Sequence, residues 1–487
     1  MIDDAPLTSD RRVSGHGMRT ILGSWARPGP AYSALADALR QAVLSGALPL
    51  RTRLPSEREL AEALSVSRTT TTAAYDTLRD EGYLLSRRGS GTVTTLPAHL
   101  RPTDARFRSA TGTDELVDLT TAAPHAPDEL HAAVRDALDL LPRYLHTTGY
   151  CPGGLPELRA AIADRYTERG TATTPGQVLV TTGGQEAIHL LVAGHAGPGD
   201  RVLLEHPTYP HAIDAVRAAS ARPVVVPSGP AGLDPDLLAS TLRRASPALA
   251  YLIPDHRNPT GTSLSEHVRA QVRELAGRTR TLVVGDEALT ELTLDGPEPP
   301  PFAGDGTSPY VACIGSASKT YWGGLRIGWI RGHRDLVGRL TVHRGHVDIA
   351  SSVLDQLVVA RLIADRDAVL ARRRHELRER RDLLCTLLAQ RLPAWTTNRP
   401  AGGLALWVDL GAPVSSALTA LAPRHGVRVA AGPAFGVEAG LERYLRLPFT
   451  EPPDRLERAV EALARAWAEL GVDRADRDAA PAAAVVV

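Results

Sequence analysis

The chain has 487 residues, with 55 basic and 55 acidic side chains and a formal net charge of zero. This balance excludes a strong overall field, so a nucleic-acid or membrane partner would have to be recognised through local features. The cysteines are few and scattered without a CxxC spacing, which argues against disulfides and a zinc site. No long apolar run and no leader-like N-terminus are present, so we expect a soluble, cytoplasmic protein of two or three domains.

The N-terminal part divides into an arm and a small helical module. Residues 1–30 are polar and without periodicity, which predicts a flexible arm. The stretch "LPSERELAEALS" begins with a capping box formed by Ser56 and Glu59. After a tight turn, Ser67 can cap a second helix, "RTTTTAAYDTLRDEG", and "YLLSRRGSGTVTTL" predicts a β-hairpin with a glycine turn.

Two short helices joined by a tight turn predict a helix-turn-helix whose second helix enters the major groove of DNA. The first turn of that helix carries Arg68 and several threonines, and the hairpin tip carries Arg87 and Arg88. These side chains suit phosphates and base edges. The alternative is a helical protein-interaction module with ordinary threonine caps.

The string "LPSERELAEALSVSRTTTTAAYDTLRDEGYLLSRRGSGTVT" resembles the GntR-type winged helix-turn-helix, and the resemblance covers residues 31–96. It implies that this module binds double-stranded operator DNA. The contacts that it implies come from Arg58, Arg68, Thr69, Thr71 and the wing tip around Gly89.

Beyond a predicted linker at residues 97–115, strand-like runs alternate with helical stretches from 116 to 370. This alternation predicts an α/β domain with a largely parallel sheet. The expected strands are "QVLVTT", "RVLLEH", "PVVVP", "LAYLIP", "TLVVGD" and "YVACIGS". Residues 371–470 predict a smaller α+β unit with strands "LALWVDL" and "RYLRLPF", and residues 471–487 a disordered tail.

Lys319, in "GSASKTYWGGLRIGW", is the single lysine of the chain, and all other basic residues are arginine. Composition drift could have left it by chance. A lysine amine, however, can lose its proton and condense with an aldehyde, whereas a guanidinium stays charged. Ser316 and Arg326 stand close enough in sequence to reach a phosphate beside it.

Further positions offer what pyridoxal phosphate requires around its ring and phosphate. Asp286 ends the strand "TLVVGD", where open α/β sheets bind ligands, although a helix cap is the simpler explanation. Tyr209 in "EHPTYPHAI" could stack on the ring or be a core tyrosine, and Asn258 in "NPTG" could bind the phenolic oxygen or form a plain turn. The helix start in "TTGGQEAI" offers amides suited to a phosphate at Gly183, Gly184 and Gln185.

The order of these motifs, with "SASKT…LRIGW" and "YLRLPF", resembles the fold-type I aminotransferases over residues 116–470. The resemblance implies pyridoxal 5'-phosphate as cofactor and Lys319 as the Schiff-base lysine. It implies Asp286 at the ring nitrogen, Asn258 at the phenolic oxygen and Tyr209 over the ring. The implied phosphate contacts are Gly183, Gly184, Gln185, Ser316 and Arg326.

The same resemblance implies that Arg446 holds a substrate α-carboxylate and that Tyr150 reaches the phosphate of a partner subunit. The sequence departs from the pattern of this family at one point. Family members usually have a tyrosine two or three residues after the aspartate, and this tyrosine binds the phenolic oxygen of the cofactor. Ala288 and Leu289 stand there instead, which puts efficient transamination in doubt.

A GntR-type module joined to an aminotransferase-like domain resembles the MocR group of bacterial regulators. This resemblance implies a head-to-tail homodimer that binds DNA and senses pyridoxal phosphate, an amino compound, or both, through an aldimine at Lys319. The rival hypothesis is a working aminotransferase that carries a DNA-binding module. A third is a cofactor-free regulator that uses the fold only for dimerisation.

Overall fold

The computed structural model describes most of the chain. The described residues are 11–23, 25–26, 29–44, 47–49, 51–87, 91–95, 97, 116–229, 232–438 and 440–471. The predicted linker beyond residue 97 and the predicted tail beyond residue 471 lie outside them. No helix within the described residues is long and apolar enough to cross a membrane.

The N-terminal module is a winged helix-turn-helix. Its helices are α1 (Gly15–Leu22), α2 (Ala31–Leu44), α3 (Glu57–Leu64) and α4 (Arg68–Asp80). Its sheet has the order β1-β2-β4-β3, with β1 (Arg11–Arg12), β2 (Thr52–Arg53), β3 (Leu84–Arg87) and β4 (Gly91–Thr94). The predicted capping box is present: Ser56 Oγ accepts from the Glu59 amide at 3.2 Å, and Glu59 Oε2 accepts from the Ser56 amide at 3.0 Å.

Part of the predicted flexible arm folds onto this module, so the expectation for residues 1–30 is wrong for residues 11–23. Strand β1 pairs with β2 in parallel. Met18 and Leu22 of α1 are buried in one cluster with apolar residues of α2 and α4, including Leu35 and Leu78. A helix of eight residues that buries two side chains gives too little periodicity to be recognised in a sequence.

The large domain is built on an eight-stranded sheet with the order β6-β13-β12-β11-β10-β7-β8-β9. The predicted strands appear as β6 (Val178–Thr181), β7 (Arg201–His206), β8 (Arg222–Gly229), β10 (Leu249–Leu252), β11 (Leu282–Asp286) and β12 (Val311–Ser316). Two strands were not predicted, β9 (Gly232–Leu233) and β13 (Gly328–Arg331). Strand β13 is antiparallel to both of its neighbours, whereas β7, β8, β10, β11 and β12 are parallel.

Helices cover both faces of this sheet. One apolar core lies beneath α5 (Glu129–Leu140), α6 (Pro156–Glu168), α9 (Pro235–Ala245), α10 (Glu266–Thr279) and α13 (Val353–Ala364). The opposite core lies beneath α7 (Gly184–Ala193), α8 (Pro210–Ala218) and α12 (Arg334–Arg344). The short helix α11 (Ala317–Thr320) directly follows β12. Burial on both faces explains why the parallel strands are continuous apolar runs.

The small domain has an antiparallel sheet with the order β14-β15-β18-β17. Its strands are β14 (Thr396–Thr397), β15 (Ala405–Asp409), β17 (Ala430–Ala431) and β18 (Tyr444–Pro448), and its helices are α14 (Arg366–Arg391), α15 (Ser415–Leu421) and α16 (Pro453–Leu470). A separate parallel pair joins β5 (Val117–Asp118) to β16 (Val427–Arg428). Because Val117 and Leu119 are buried in the small-domain core, the chain enters this domain before it builds the large one. This differs from the predicted division, in which residues 116–370 form the large part.

Candidate cofactor site and DNA-binding surface

Lys319 lies in α11, immediately after the central strand β12. Ser316 ends that strand, and its Oγ accepts a hydrogen bond from the Ser318 amide at 3.2 Å, which starts the short helix. Lys319 Nζ donates to the carbonyl oxygen of Ala122 at 2.9 Å. Burial, followed by the positive charge of Arg446, lowers the pKa of the Lys319 amine to about 8, although Asp286 acts in the opposite direction. The amine is therefore partly neutral near physiological pH.

Asp286 lies at the end of β11, the strand next to β12. Its Oδ2 accepts from the Tyr251 hydroxyl at 2.5 Å, and its Oδ1 accepts from the Ala288 amide at 3.0 Å. Burial raises the pKa of the carboxyl, while these hydrogen bonds and the charge of Lys319 lower it. Tyr251 was not among the site residues predicted from the sequence. A tyrosine in an apolar, buried strand needs a hydroxyl partner, and this requirement could have pointed to it.

The predicted phosphate-binding residues come together at the start of α7. Gly183 has a φ of 86°, and a Cβ added there would lie 2.6 Å from Arg326 Nη2. Arg326 Nη2 donates to the Thr182 carbonyl oxygen at 3.1 Å, and Gly184 lies against the Ser316 side chain. Only glycine at position 183 allows this close approach of a guanidinium to the helix start. The arrangement presents backbone amides, a hydroxyl and a positive charge on one side.

Gln185 and Tyr209 flank this helix start. Gln185 Nε2 donates to the His211 carbonyl oxygen at 3.1 Å, so the amide group is fixed against the loop that carries Tyr209. The Tyr209 ring packs edge-on against His211, with 5.2 Å between ring centroids. Burial, and then the charge of Asp286, raises the pKa of Tyr209 to about 12. The phenol therefore remains protonated and can donate a hydrogen bond.

Asn258 follows β10, next to a buried ion pair that the sequence pattern did not indicate. The neighbouring Arg257 is fully buried, and its Nη2 lies 2.7 Å from Glu205 Oε1, which is also fully buried. Glu205 Oε2 accepts in addition from the Ile253 amide at 2.7 Å. This pair connects the strand that precedes Tyr209 with the loop of Asn258.

Arg446 projects from β18 of the small domain into the same region. Its guanidinium carbon lies 5.0 Å from the centroid of the Phe435 ring, and its Nη2 donates to the Thr120 carbonyl oxygen. Burial lowers the pKa of this side chain to about 10, and it remains positively charged at neutral pH. The proximity of its charge to Lys319 fits the predicted role in carboxylate binding.

Several polar atoms of the predicted cofactor and effector residues, and of Ser318 next to Lys319, are buried without a protein partner, and they test whether pyridoxal phosphate fits. These atoms are Gln185 Oε1, Asn258 Oδ1, Ser318 Oγ and Arg446 Nε. Leaving such an atom without a partner costs about 1–3 kcal/mol, so the set indicates a site for a polar ligand. Together with the cationic cradle at Gly183 and the carboxylate of Asp286, it fits an anionic pyridine ligand. The described residues contain no cluster suited to a metal ion.

The residues predicted to contact DNA divide into exposed and buried positions. Arg58 has 77% of its side chain exposed, and Arg68 and Thr69 are exposed at the start of α4. Thr71 is fully buried, and its hydroxyl donates to the carbonyl oxygens of Glu57 and Arg68, each at 2.9 Å. The expectation of a DNA contact from Thr71 is therefore corrected, because its side chain joins α3 to α4. The side chain of Arg87, together with Arg88 and Gly89, lies outside the described residues.

Comparison with known proteins finds a matching family for the N-terminal module and another for the rest of the described chain. Residues 114–463 match the family described as aminotransferase class I and II, and residues 31–93 match the bacterial regulatory proteins of the gntR family. The chain belongs to the class I and II aminotransferase family. It also has the domain combination of the MocR-type regulators.

The "Probable rhizopine catabolism regulatory protein MocR" of Rhizobium meliloti is 30% identical over 76% of this chain and 79% of its own length. The uncharacterized HTH-type transcriptional regulator YdfD of Bacillus subtilis is 26% identical over 86% of this chain and 92% of its own length. Among solved structures, LysN, an α-aminoadipate aminotransferase from Thermus thermophilus, is 29% identical, with a TM-score of 0.68 over 73% of this chain and 93% of that chain.

The LysN structure contains N-(5'-phosphopyridoxyl)-L-leucine. Family membership and this ligand confirm the prediction of pyridoxal phosphate as the cofactor. The fold class predicted from the sequence is also confirmed. This chain therefore combines a gntR-family module with a domain of a pyridoxal-phosphate enzyme family, as the MocR-type relatives do.

Proposed function

We propose that this protein is a DNA-binding transcriptional regulator that holds pyridoxal phosphate covalently through Lys319 and senses the cofactor, an amino compound, or both. The observation that carries the proposal is the single lysine of the chain, whose amine has a pKa of about 8 and lies near Asp286 and Arg446. A neutral lysine amine is the group that condenses with an aldehyde, and arginine cannot replace it.

The residues around Lys319 would hold the cofactor in a fixed orientation. Asp286 would bind the ring nitrogen, Asn258 the phenolic oxygen, and Tyr209 would cover the ring. The phosphate would be bound by Gly183, Gly184, Gln185, Ser316 and Arg326. When bound, pyridoxal phosphate supplies an aldehyde carbon that exchanges one amine for another.

The effector would carry both an amine and an acidic group. Arg446 is buried, has an Nε without a partner, and lies near enough to Lys319 to lower the pKa of its amine. A carboxylate or sulfonate would neutralise this guanidinium and provide the missing acceptor. An amino acid or an aminosulfonate therefore suits the site, with its amine directed toward Lys319.

A contact between the small domain and the DNA-binding module offers a route from effector to DNA. Ala420 of α15 is buried in the same apolar cluster as Leu35, Leu39 and Tyr75 of the module. Arg446 lies on β18 of the small domain, so an effector bound to Arg446 would favour one position of that domain. A difference of a few kcal/mol in effector affinity between two arrangements is enough to change the dominant one.

We further propose a head-to-tail homodimer in which Tyr150 reaches the partner's phosphate site. Exposed apolar side chains lie on the segments beside the phosphate-binding turn, namely Leu145, Tyr150, Val342, Val347 and Ile349. Arg344 Nη1 donates to the Pro152 carbonyl oxygen at 3.0 Å, and Thr182 Oγ1 donates to Asp348 Oδ2 at 2.6 Å. These bonds join the exposed segments to each other and to Thr182, next to Gly183. An apolar patch of this kind is typical of an interface.

The rival function is that of a working aminotransferase. Lys319, Asp286 and Arg446 are sufficient for cofactor and substrate binding. At positions 288 and 289, however, Ala and Leu provide no hydroxyl for the phenolic oxygen. Without that hydrogen bond, control of the proton balance at the cofactor is weaker, which favours sensing over turnover.

Two measurements test this proposal. Borohydride reduction of the cofactor-loaded protein, followed by peptide mass analysis, should place a phosphopyridoxyl group on Lys319 and give no side-chain adduct in Lys319→Arg. An adduct in that variant anywhere other than on the N-terminal α-amino group would contradict the assignment, because the chain has no other lysine amine to form it. Incubation with amino donors and keto acids should give at most one turnover per site, whereas sustained turnover would favour the enzyme.

A further inference from the structure

Strand β1 and helix α1 lie outside the stretch that matches the GntR family, yet they are part of the DNA-binding module. The family match begins at residue 31. Arg11 pairs with Thr52 and Arg12 with Arg53, and the Val13 amide donates to the Arg53 carbonyl oxygen at 3.1 Å. These backbone bonds fix residues 11–13 along the edge of the wing sheet.

Helix α1 is fixed against α3, the first helix of the helix-turn-helix. A Cβ added at Gly15 would lie 3.0 Å from Ala63 Cβ and 3.0 Å from the Glu59 carbonyl oxygen, so the two helices are in close contact there. Met18 is fully buried in the core of the module. The extension is therefore held from both sides, by the sheet and by the helix.

Arg12 is exposed and lies beside two arginines of the module. Because residues in register point to the same side of a sheet, Arg12 and Arg53 share a face. Arg53 lies against the wing, since a Cβ added at Gly91 would be 2.7 Å from Arg53 Nε. The pKa of the Glu59 carboxyl is lowered by hydrogen bonds from Ser56 and further by the charges of Arg12 and Arg58. Arg12 therefore lies close to α3 as well as to β2.

The charges on this face favour an anionic partner. Arg12, Arg53 and Arg58 face two carboxylates. One, Glu59, is engaged in the capping box with Ser56, and the other, Glu62, is 3.9 Å from Arg58. Without Arg12, this group would hold two arginines and two carboxylates and would have no net charge. With it the group carries a net positive charge, and Arg68 at the nearby start of α4 lies close to Glu57, which Arg79 pairs at 2.8 Å.

We propose that β1 and α1 extend the DNA-binding surface, with Arg12 contacting a backbone phosphate of double-stranded DNA beside the base pairs reached by α4. This inference rests on the proposed DNA-binding function. The first helix of a helix-turn-helix crosses the DNA backbone, and a flexible guanidinium next to that helix suits a phosphate more than a base edge.

The test uses full-length, cofactor-loaded protein and DNA fragments selected by it from a random-sequence pool. Fluorescence anisotropy over a range of salt concentrations gives the affinity and its salt dependence. Arg12→Ala should weaken binding to all fragments by about three- to tenfold and reduce the slope of log K against log salt by about one per bound copy. Arg12→Lys should retain most of both. Arg244→Ala, which removes an exposed charge from α9 of the large domain, should change neither.

The outcomes separate this inference from the proposed function. If Arg68→Ala removes the sequence preference while Arg12→Ala binds with wild-type affinity and slope, DNA binding stands and the role of β1 is overturned. If the wild-type protein selects no fragments, the proposed function fails as well. If Arg12→Ala shows a large drop in melting temperature, the comparison passes to Arg12→Lys, and clearly weakened binding by that folded, equally charged variant would count against a phosphate contact by Arg12.

Discussion

The low pKa of Lys319 predicts how fast the apo protein captures pyridoxal phosphate at different pH values. Capture requires the neutral amine. With a pKa of about 8, roughly 10% of the amine is neutral at pH 7 and roughly 90% at pH 9, so the rate should rise about tenfold and then level off. An amine with the ordinary pKa of about 10.5 would instead show a rise of about a hundredfold over this range, without a plateau.

Arg446→Met tests the cause of this low pKa. After burial, the charge of Arg446 is the strongest influence that lowers the pKa of Lys319. Methionine keeps the site filled and apolar but removes the charge, so the midpoint should move up by about one pH unit. Capture at pH 7 would then slow about tenfold, and at pH 9 less than about twofold. Asp286→Asn should move the midpoint the other way, because the Asp286 charge raises the pKa of Lys319.

Stopped-flow absorbance follows the capture, and the reaction of the cofactor with Nα-acetyl-lysine at each pH corrects for titration of the cofactor itself. Peptide mass analysis after borohydride reduction verifies that the adduct is on Lys319. A midpoint above pH 10 in the wild-type protein, or one that Arg446→Met leaves in place, would refute the explanation.

Three further predictions concern the remaining contacts. Arg257→Met leaves the Glu205 carboxylate buried without its partner, so it should lower the free energy of unfolding in urea by about 3–5 kcal/mol. The control Arg244→Met should not lower it. A loss below about 1 kcal/mol for Arg257→Met would contradict the role of the pair. Arg326→Ala should weaken binding of pyridoxal phosphate far more than binding of pyridoxal, and equal losses would argue against a phosphate contact. Thr71→Val should destabilise the DNA-binding module by about 1 kcal/mol but leave DNA affinity near the wild-type value at low temperature, and a selective loss of affinity would restore the direct contact.

The parts of the site that the sequence reveals are those with a local chemical reason. Lys319 is recognisable because no other residue of the chain offers a side-chain amine. Asp286 ends one apolar strand and Gly183 follows another, so their place at the edge of a sheet can be inferred from the strand pattern alone. The parallel strands could also be predicted from the sequence, because burial on both faces makes them unbroken apolar runs.

The parts that the sequence does not reveal depend on contacts between distant segments. The Tyr251–Asp286 hydrogen bond and the Glu205–Arg257 ion pair each join two strands or loops whose neighbourhood exists only in the folded sheet. Thr71 belongs to a run of four threonines that look equivalent, and only the packing of α3 against α4 decides which of them is buried. Local patterns carry no information on such choices.

The affinity of selected DNA fragments for the protein, with and without pyridoxal phosphate, tests the proposed regulator most directly. The measurement should be made in parallel on the wild-type protein and on Lys319→Arg. We predict that the cofactor changes the apparent DNA affinity of the wild-type protein and leaves that of Lys319→Arg unchanged. An unchanged affinity in the wild-type protein, or the same change in both proteins, would contradict sensing through Lys319.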